Sequence, residues 1–199
     1  MAVSGPNLPA TGADDATVGT VVWANPGNIT VADGVFAVAS MASQTSHYIK
    51  ATNFGFNIPS TAIIRGILVQ WRISGNAATK ENSVKMVQGG SISGTDKSTS
   101  ALIGSTSTVY RNYGSPTDLW GLTWAPSDIN SSTFGAVFST IQPAADAGIA
   151  SHCDAVRITV YYDNEAVMKS VPLFRVKPAP FKPGDGTFIN NLRGRKVVR

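Results

Sequence analysis

A chain of 199 residues with 43% hydrophobic and only 14% charged residues holds enough apolar material for one buried core. Its low charge disfavours long exposed helices, which carry Glu/Lys pairs on their outer face. A lone cysteine, Cys153, excludes an intrachain disulfide, and the sequence shows neither an apolar run of about 18 residues nor a basic start leading into an apolar stretch, so no membrane span or signal peptide is expected. The net charge of +4 is uneven: residues 164–199 carry eight Lys/Arg against Glu165 and Asp185, whereas the preceding residues carry eight basic and ten acidic groups, a balance of −2.

Residues 1–13, small and polar with Pro6 and Pro9, are expected to form an extended N-terminal segment. Strand-like runs follow at 17–24, closed by Asn25-Pro26-Gly27-Asn28, at 29–32, closed by Asp33-Gly34, and at 35–40, with another at 47–52. The clearest period of two spans Ile63–Ser74, where Ile67, Val69, Trp71 and Ile73 share one face and Leu68, Gln70, Arg72 and Ser74 the other. Residues 84–88 continue the pattern to the Gly89-Gly90 turn, 91–100 is polar and turn-like, and 109–113 is a short candidate. Pro126 suits the first position of a single helical turn, with Asp128 favouring its dipole. Residues 134–141 and 155–162 complete the series; in the latter, Val156, Ile158, Val160 and Tyr162 alternate with Ala155, Arg157, Thr159 and Tyr161. Eight or nine short strands separated by turns predict an all-β fold, an antiparallel, jelly-roll-like β-sandwich over 14–162.

After Tyr162 the pattern changes. Residues 163–199 contain Pro172, Pro178, Pro180 and Pro183, which remove backbone donors and bar a central strand. The segment reads as an extended basic arm lying on a surface, with Phe174, Phe181, Phe188 and Leu192 as anchors and Arg175, Arg193, Arg195, Lys196 and Arg199 as surrounding polar contacts.

Chemistry-bearing residues are sparse. His152-Cys153-Asp154 is the one cluster of metal-capable types, but neighbours in an extended chain point to opposite faces, and an ordinary strand start accounts for them. A base for nucleophilic catalysis can come only from His47 or His152, and no Gly-x-Ser-x-Gly elbow occurs. Asp14, Asp15, Asp118 and Asp128 sit where turns and caps use carboxylates locally. No enzyme activity, cofactor or metal site is therefore expected. Trp120 and Trp124 can be read as a flat platform for a sugar or an interface, or as core aromatics plugging one end of the sandwich beside Leu119 and Leu122. The four charges in 193–199 can touch nucleic acid electrostatically, but at a chain end such charges more often make salt-sensitive protein contacts or stay solvated.

Four stretches carry a resemblance: Asp14-Asp15-Ala16-Thr17-Val18-Gly19 with Trp23, the run from Tyr48 to Pro59, Thr117-Asp118-Leu119-Trp120-Gly121-Leu122-Thr123-Trp124, and Arg157-Ile158-Thr159-Val160-Tyr161-Tyr162. Together they resemble a family of tailed-phage and prophage virion structural proteins. The resemblance covers residues 14–162 and implies a role in a particle, with no catalytic residue to transfer; the missing signal peptide adds the expectation of synthesis in the host cytoplasm. It leads to the expectation of a capsid decoration (cement) protein that packs with copies of itself, as a trimer. Its arm would run over the major capsid protein or another virion subunit, with no nucleic acid or membrane partner. The alternative expectation is a neck- or tail-associated protein, or a tail-borne glycan-binding module that recognises a receptor through Trp120, Trp124 or tyrosines at a loop end.

Overall fold

The computed structural model describes residues 1–75, 79–100, 102–104, 108–143 and 149–164. Ten strands run in chain order: β1 (Ala2–Asn7), β2 (Thr11–Asp15), β3 (Ala37–Met41), β4 (Tyr48–Thr52), β5 (Ile63–Ser74), β6 (Lys80–Gln88), β7 (Ser91–Ser93), β8 (Val109–Ser115), β9 (Gly135–Ile141) and β10 (Ile149–Asp163). A 3₁₀ turn spans Pro26–Thr30, and a single helical turn, α1, spans Pro126–Asn130.

The strands form two antiparallel five-stranded sheets. Sheet A runs β1-β10-β5-β8, with β3 also paired to β10, and sheet B runs β2-β4-β9-β6-β7. The chain passes from one sheet to the other at almost every connection, as the jelly-roll-like expectation requires. Period-two side chains from both inner faces meet in the core. Sheet A contributes Ile67, Val69, Trp71, Ile73, Val156, Ile158 and Val160; sheet B contributes Ile49, Val84, Met86, Ala136 and Phe138. Trp71 and Phe138 pack across the middle, with ring centroids 5.6 Å apart.

Four sequence expectations are corrected. Residues 1–13 are extended but belong to the sandwich: β1 pairs with β10, and β2 pairs with β4. An edge strand leaves one row of backbone groups without ladder partners, so Pro6 is tolerated in β1 although it has no N–H. Residues 29–32 are not a strand. Pro26 opens a 3₁₀ turn after Asn25, whose φ of 54° lies in the left-handed region, and Ile29 is buried beneath it. That turn packs so closely on β2 that a Cβ at Gly12 would lie 2.1 Å from the Pro26 carbonyl oxygen. Residues 17–24 contribute only isolated bridges, at Val21 and Ala24, and the polar stretch 91–100 begins with β7 on the edge of sheet B. The helical turn at Pro126 forms as expected, Asp128 accepting the Ala125 backbone N–H at 2.9 Å.

Candidate functional site: the outer face of sheet A

Because β5 sends Val69, Trp71 and Ile73 inward, it must send Leu68, Gln70 and Arg72 outward. Residues directly opposite one another on paired strands share a face. Gln70 lies opposite Arg157 of β10 and Asn112 of β8, and Arg72 lies opposite Tyr110. Further along, Leu68 lies opposite Thr159, and Tyr161 lies opposite both Gly66 and Val3 of β1. The outer face thus has a polar end (Arg157, Gln70, Asn112, Arg72, Tyr110) and a less polar end (Leu68, Tyr161, Val3).

The polar end is ordered. Arg157 Nε donates to Gln70 Oε1 at 2.7 Å, and Gln70 Nε2 donates to Asn112 Oδ1 at 2.7 Å. The guanidinium of Arg157 lies over the Tyr110 ring, 3.9 Å from its centroid, a cation–π contact that fixes the long side chain. Arg72 reaches the fully buried carboxylate of Asp154, whose other oxygen accepts the Gly34 backbone N–H at 2.8 Å. Planar groups are therefore held in one row across three strands, about 10 Å wide at the usual strand spacing. Such a surface can bind oxygen-rich ligands through donors already in position, with apolar contact at the Tyr161 end.

Trp120 and Trp124 do not form a surface platform. Trp120 has no exposed surface and Trp124 is 6% exposed. Their indole N–H groups donate to the backbone carbonyls of Ile67 (2.9 Å) and Leu119 (3.0 Å). Trp124 stands edge-on to Phe134 at 5.4 Å. The segment between β8 and α1 folds back over the sandwich, and Lys97 covers Trp120 while pairing with Asp118 at 2.6 Å. The core reading of these two residues holds, and the glycan-platform reading of them is withdrawn. The arm residues Phe174, Arg175, Phe181, Phe188, Leu192, Arg193, Arg195, Lys196 and Arg199 lie outside the described residues.

Other chemistry-bearing groups have structural partners. His47 Nδ1 meets Asp14 Oδ2 at 2.8 Å, and Asp14 Oδ1 accepts the Trp23 backbone N–H at 2.8 Å. His152 packs edge-on to Phe36, and Cys153 is wholly buried, which pushes its thiol pKa well up. Among the described residues no three His, Cys, Asp or Glu side chains converge. Glu81, 4% exposed, accepts from the Tyr113 hydroxyl at 2.7 Å and from the Thr99 backbone N–H at 2.8 Å. Burial, reinforced by the Glu81 charge, pushes the Tyr113 hydroxyl well above its ordinary pKa. An open hollow of about 730 Å³ between Gly19–Thr20, 43–45 and 141–143 is lined by mixed polar and apolar side chains, Ile141 and Pro143 among them, none of them titratable.

No family model matches the chain, and none of the curated proteins matches it; the phage resemblance therefore rests on the residues quoted for it. Three solved structures show distant likeness. A carbohydrate-binding module in complex with β-1,4-galactotriose is 13% identical at a TM-score of 0.36, over 74% of this chain and 86% of that one. An arabinose-bound α-L-arabinofuranosidase is 16% identical at 0.39, over 79% of this chain and 25% of that one. The enzymatically active domain of bacteriophage CBA120 tailspike protein 4 is 12% identical at 0.30, over 74% of this chain and 19% of that one. At these TM-scores the likeness carries no information on ligand or reaction.

The alternation in β5 and β10 already placed Gln70, Arg72, Arg157 and Tyr161 on the side away from the core. Their convergence with Tyr110 and Asn112 depended on strand register, which links residues 42 and 87 positions apart.

Proposed function

We propose that the chain is a non-catalytic recognition module of a phage virion that binds cell-surface glycan on the outer face of sheet A. The particle setting rests on the resemblance of residues 14–162. The recognition role rests on one observation, the Arg157–Gln70–Asn112 row fixed beside Tyr110. A merely solvated face is served by mobile, independent side chains; here three strands hold their planar polar groups in one arrangement, which lowers the ordering cost of binding. The non-catalytic role carries over from the sequence, where turn and cap bonding accounts for the carboxylates; the Asp14 carboxylate meets the His47 ring and accepts the Trp23 N–H. The cement reading draws its support from the arm, and the tail-side reading from the face.

The test is retention of the purified full-length protein on host cells and on immobilised bacterial surface polysaccharides, alongside co-sedimentation with phage heads lacking it. Retention on glycan that is lost in Gln70→Ala and Asn112→Ala is the expected result. Binding to heads alone, unchanged by these substitutions, would overturn the proposal in favour of the cement role.

A further inference from the structure

The hydrogen-bonded row has a direction, and that direction selects a ligand. A guanidinium can only donate, so Gln70 must turn its oxygen towards Arg157. Its amide nitrogen then faces Asn112, which must in turn offer its oxygen. Both ends of the row therefore finish in donors: the Asn112 Nδ2 group at one side, and the two terminal nitrogens of Arg157 at the other. Those terminal nitrogens have no partner among the described residues, because only Nε of Arg157 is used.

Charge counting points the same way. Three arginines stand on this face. Arg65 is bonded to Asp163 at 2.7 Å, Arg72 is paired with buried Asp154, and Arg157 has no carboxylate partner among the described residues. One uncompensated, positionally fixed guanidinium remains, on a domain whose residues 1–163 carry a net −2. A nucleic acid or a densely sulfated chain needs many phosphate-type contacts, and this face offers one unpaired cation among the described residues. A chain of sugars with single carboxylates spaced among neutral hydroxyls needs one bidentate cation and several neutral donors.

We propose, building on the glycan-recognition reading above, that the ligand is a uronic-acid oligosaccharide whose carboxylate is taken by the terminal nitrogens of Arg157. Hydroxyls of the same sugar accept from Asn112 and the free Gln70 N–H, and the sugar's apolar face rests towards Leu68 and Tyr161.

Calorimetric titration of the full-length protein tests this with galacturonate, glucuronate and mannuronate oligosaccharides, each beside its counterpart with the carboxylates reduced to alcohols. Wild type, Arg157→Gln, Arg157→Lys and Asn112→Ala are compared, and thermal melts check that each variant folds. The expected result is binding of at least one uronate, weakened about ten- to a hundredfold by carboxyl reduction or by Arg157→Gln, the worth of one hydrogen-bonded charge. Arg157→Lys should fail to restore it, because the planar fork is lost. Equal affinity for acid and reduced sugars, lost in Asn112→Ala, would overturn the uronate assignment and leave the glycan reading standing. Binding of neither form would overturn the uronate assignment, and the glycan reading falls with it only if host cells and their polysaccharides also fail to retain the protein. Uronate binding that survives Arg157→Gln but vanishes when Arg193, Arg195, Lys196 and Arg199 become Ser would also overturn the assignment, by placing the contact on the basic tail.

Discussion

Arg72→Met should be among the most damaging surface substitutions in this protein, and the damage should be almost entirely the fault of a residue left untouched. Arg72 is about a third exposed at its side chain, while its partner Asp154 has no exposure. Replacing the arginine with a side chain of similar volume strips the buried carboxylate of its cation and leaves it one donor, the Gly34 N–H. Breaking a buried pair from one side costs about 3 to 5 kcal/mol, which for a domain of this size lowers the melting temperature by roughly 6 to 20 °C. Removing both members is far milder. In Arg72→Met/Asp154→Leu the charge is gone, and the remaining loss is the acceptor for Gly34, about 1 kcal/mol. Urea titrations of wild type, both single variants and the double variant close a double-mutant cycle; Asp154→Leu alone also loses the Gly34 acceptor, so the expected coupling is about 3 to 5 kcal/mol. If Arg72→Met alone costs less than about 1 kcal/mol, the range of an exposed pair, Asp154 is not paying a desolvation penalty and the reasoning fails.

Three further outcomes follow from the packing. Burial alone would raise the Asp96 carboxyl, but hydrogen bonds from the Ser83 hydroxyl, the Val84 N–H and Ser98 hold it below the ordinary carboxylate range. A depressed folded pKa contributes stability that is complete above the unfolded value near 4 and is lost as pH falls through the folded one. Melts of wild type should therefore drop in acid below about pH 4, and Asp96→Ala should flatten part of that drop. Gly135→Ala should disrupt the β4–β9 pairing, because its Cβ would lie 1.8 Å from the Ala51 carbonyl oxygen; a loss of about 3 kcal/mol or more, or insoluble protein, is expected on expression and melting. Deleting residues 165–199 should leave the melting temperature of the sandwich unchanged, since Met1–Ala166 is compact by itself; a large drop would show that the arm belongs to the core.

What could be read in the sequence was whatever depended on one strand at a time. The alternation of Ile67, Val69, Trp71 and Ile73 located β5 to the residue, because a half-buried strand writes its two faces into every second position. The fate of Ile29 was not legible in that way: an apolar residue after a turn looks the same in a strand and in a 3₁₀ turn, and Pro26 decides it only together with the close approach at Gly12. Strand β1 carries no apolar alternation and is held by backbone pairing to β10, so composition made it look like a loose lead-in. Trp120 and Trp124 offered two readings because burial is set by how the loop folds back, and backbone carbonyls of Ile67 and Leu119 closed the question. The candidate site is a property of register between β5, β8 and β10, information that resides in no single stretch of sequence.

Strand β10 borders β5 on one side and both β1 and β3 on the other. During synthesis, β1 is made some 150 residues before β10, its sheet partner among the described residues, about 8 to 30 s at ordinary elongation rates. Sheet A cannot close until β10 emerges, and until then β5 lacks one of its two sheet neighbours and its apolar face is incompletely covered. Production of this protein in quantity should respond more to chaperone supply and to growth temperature than its finished stability would suggest.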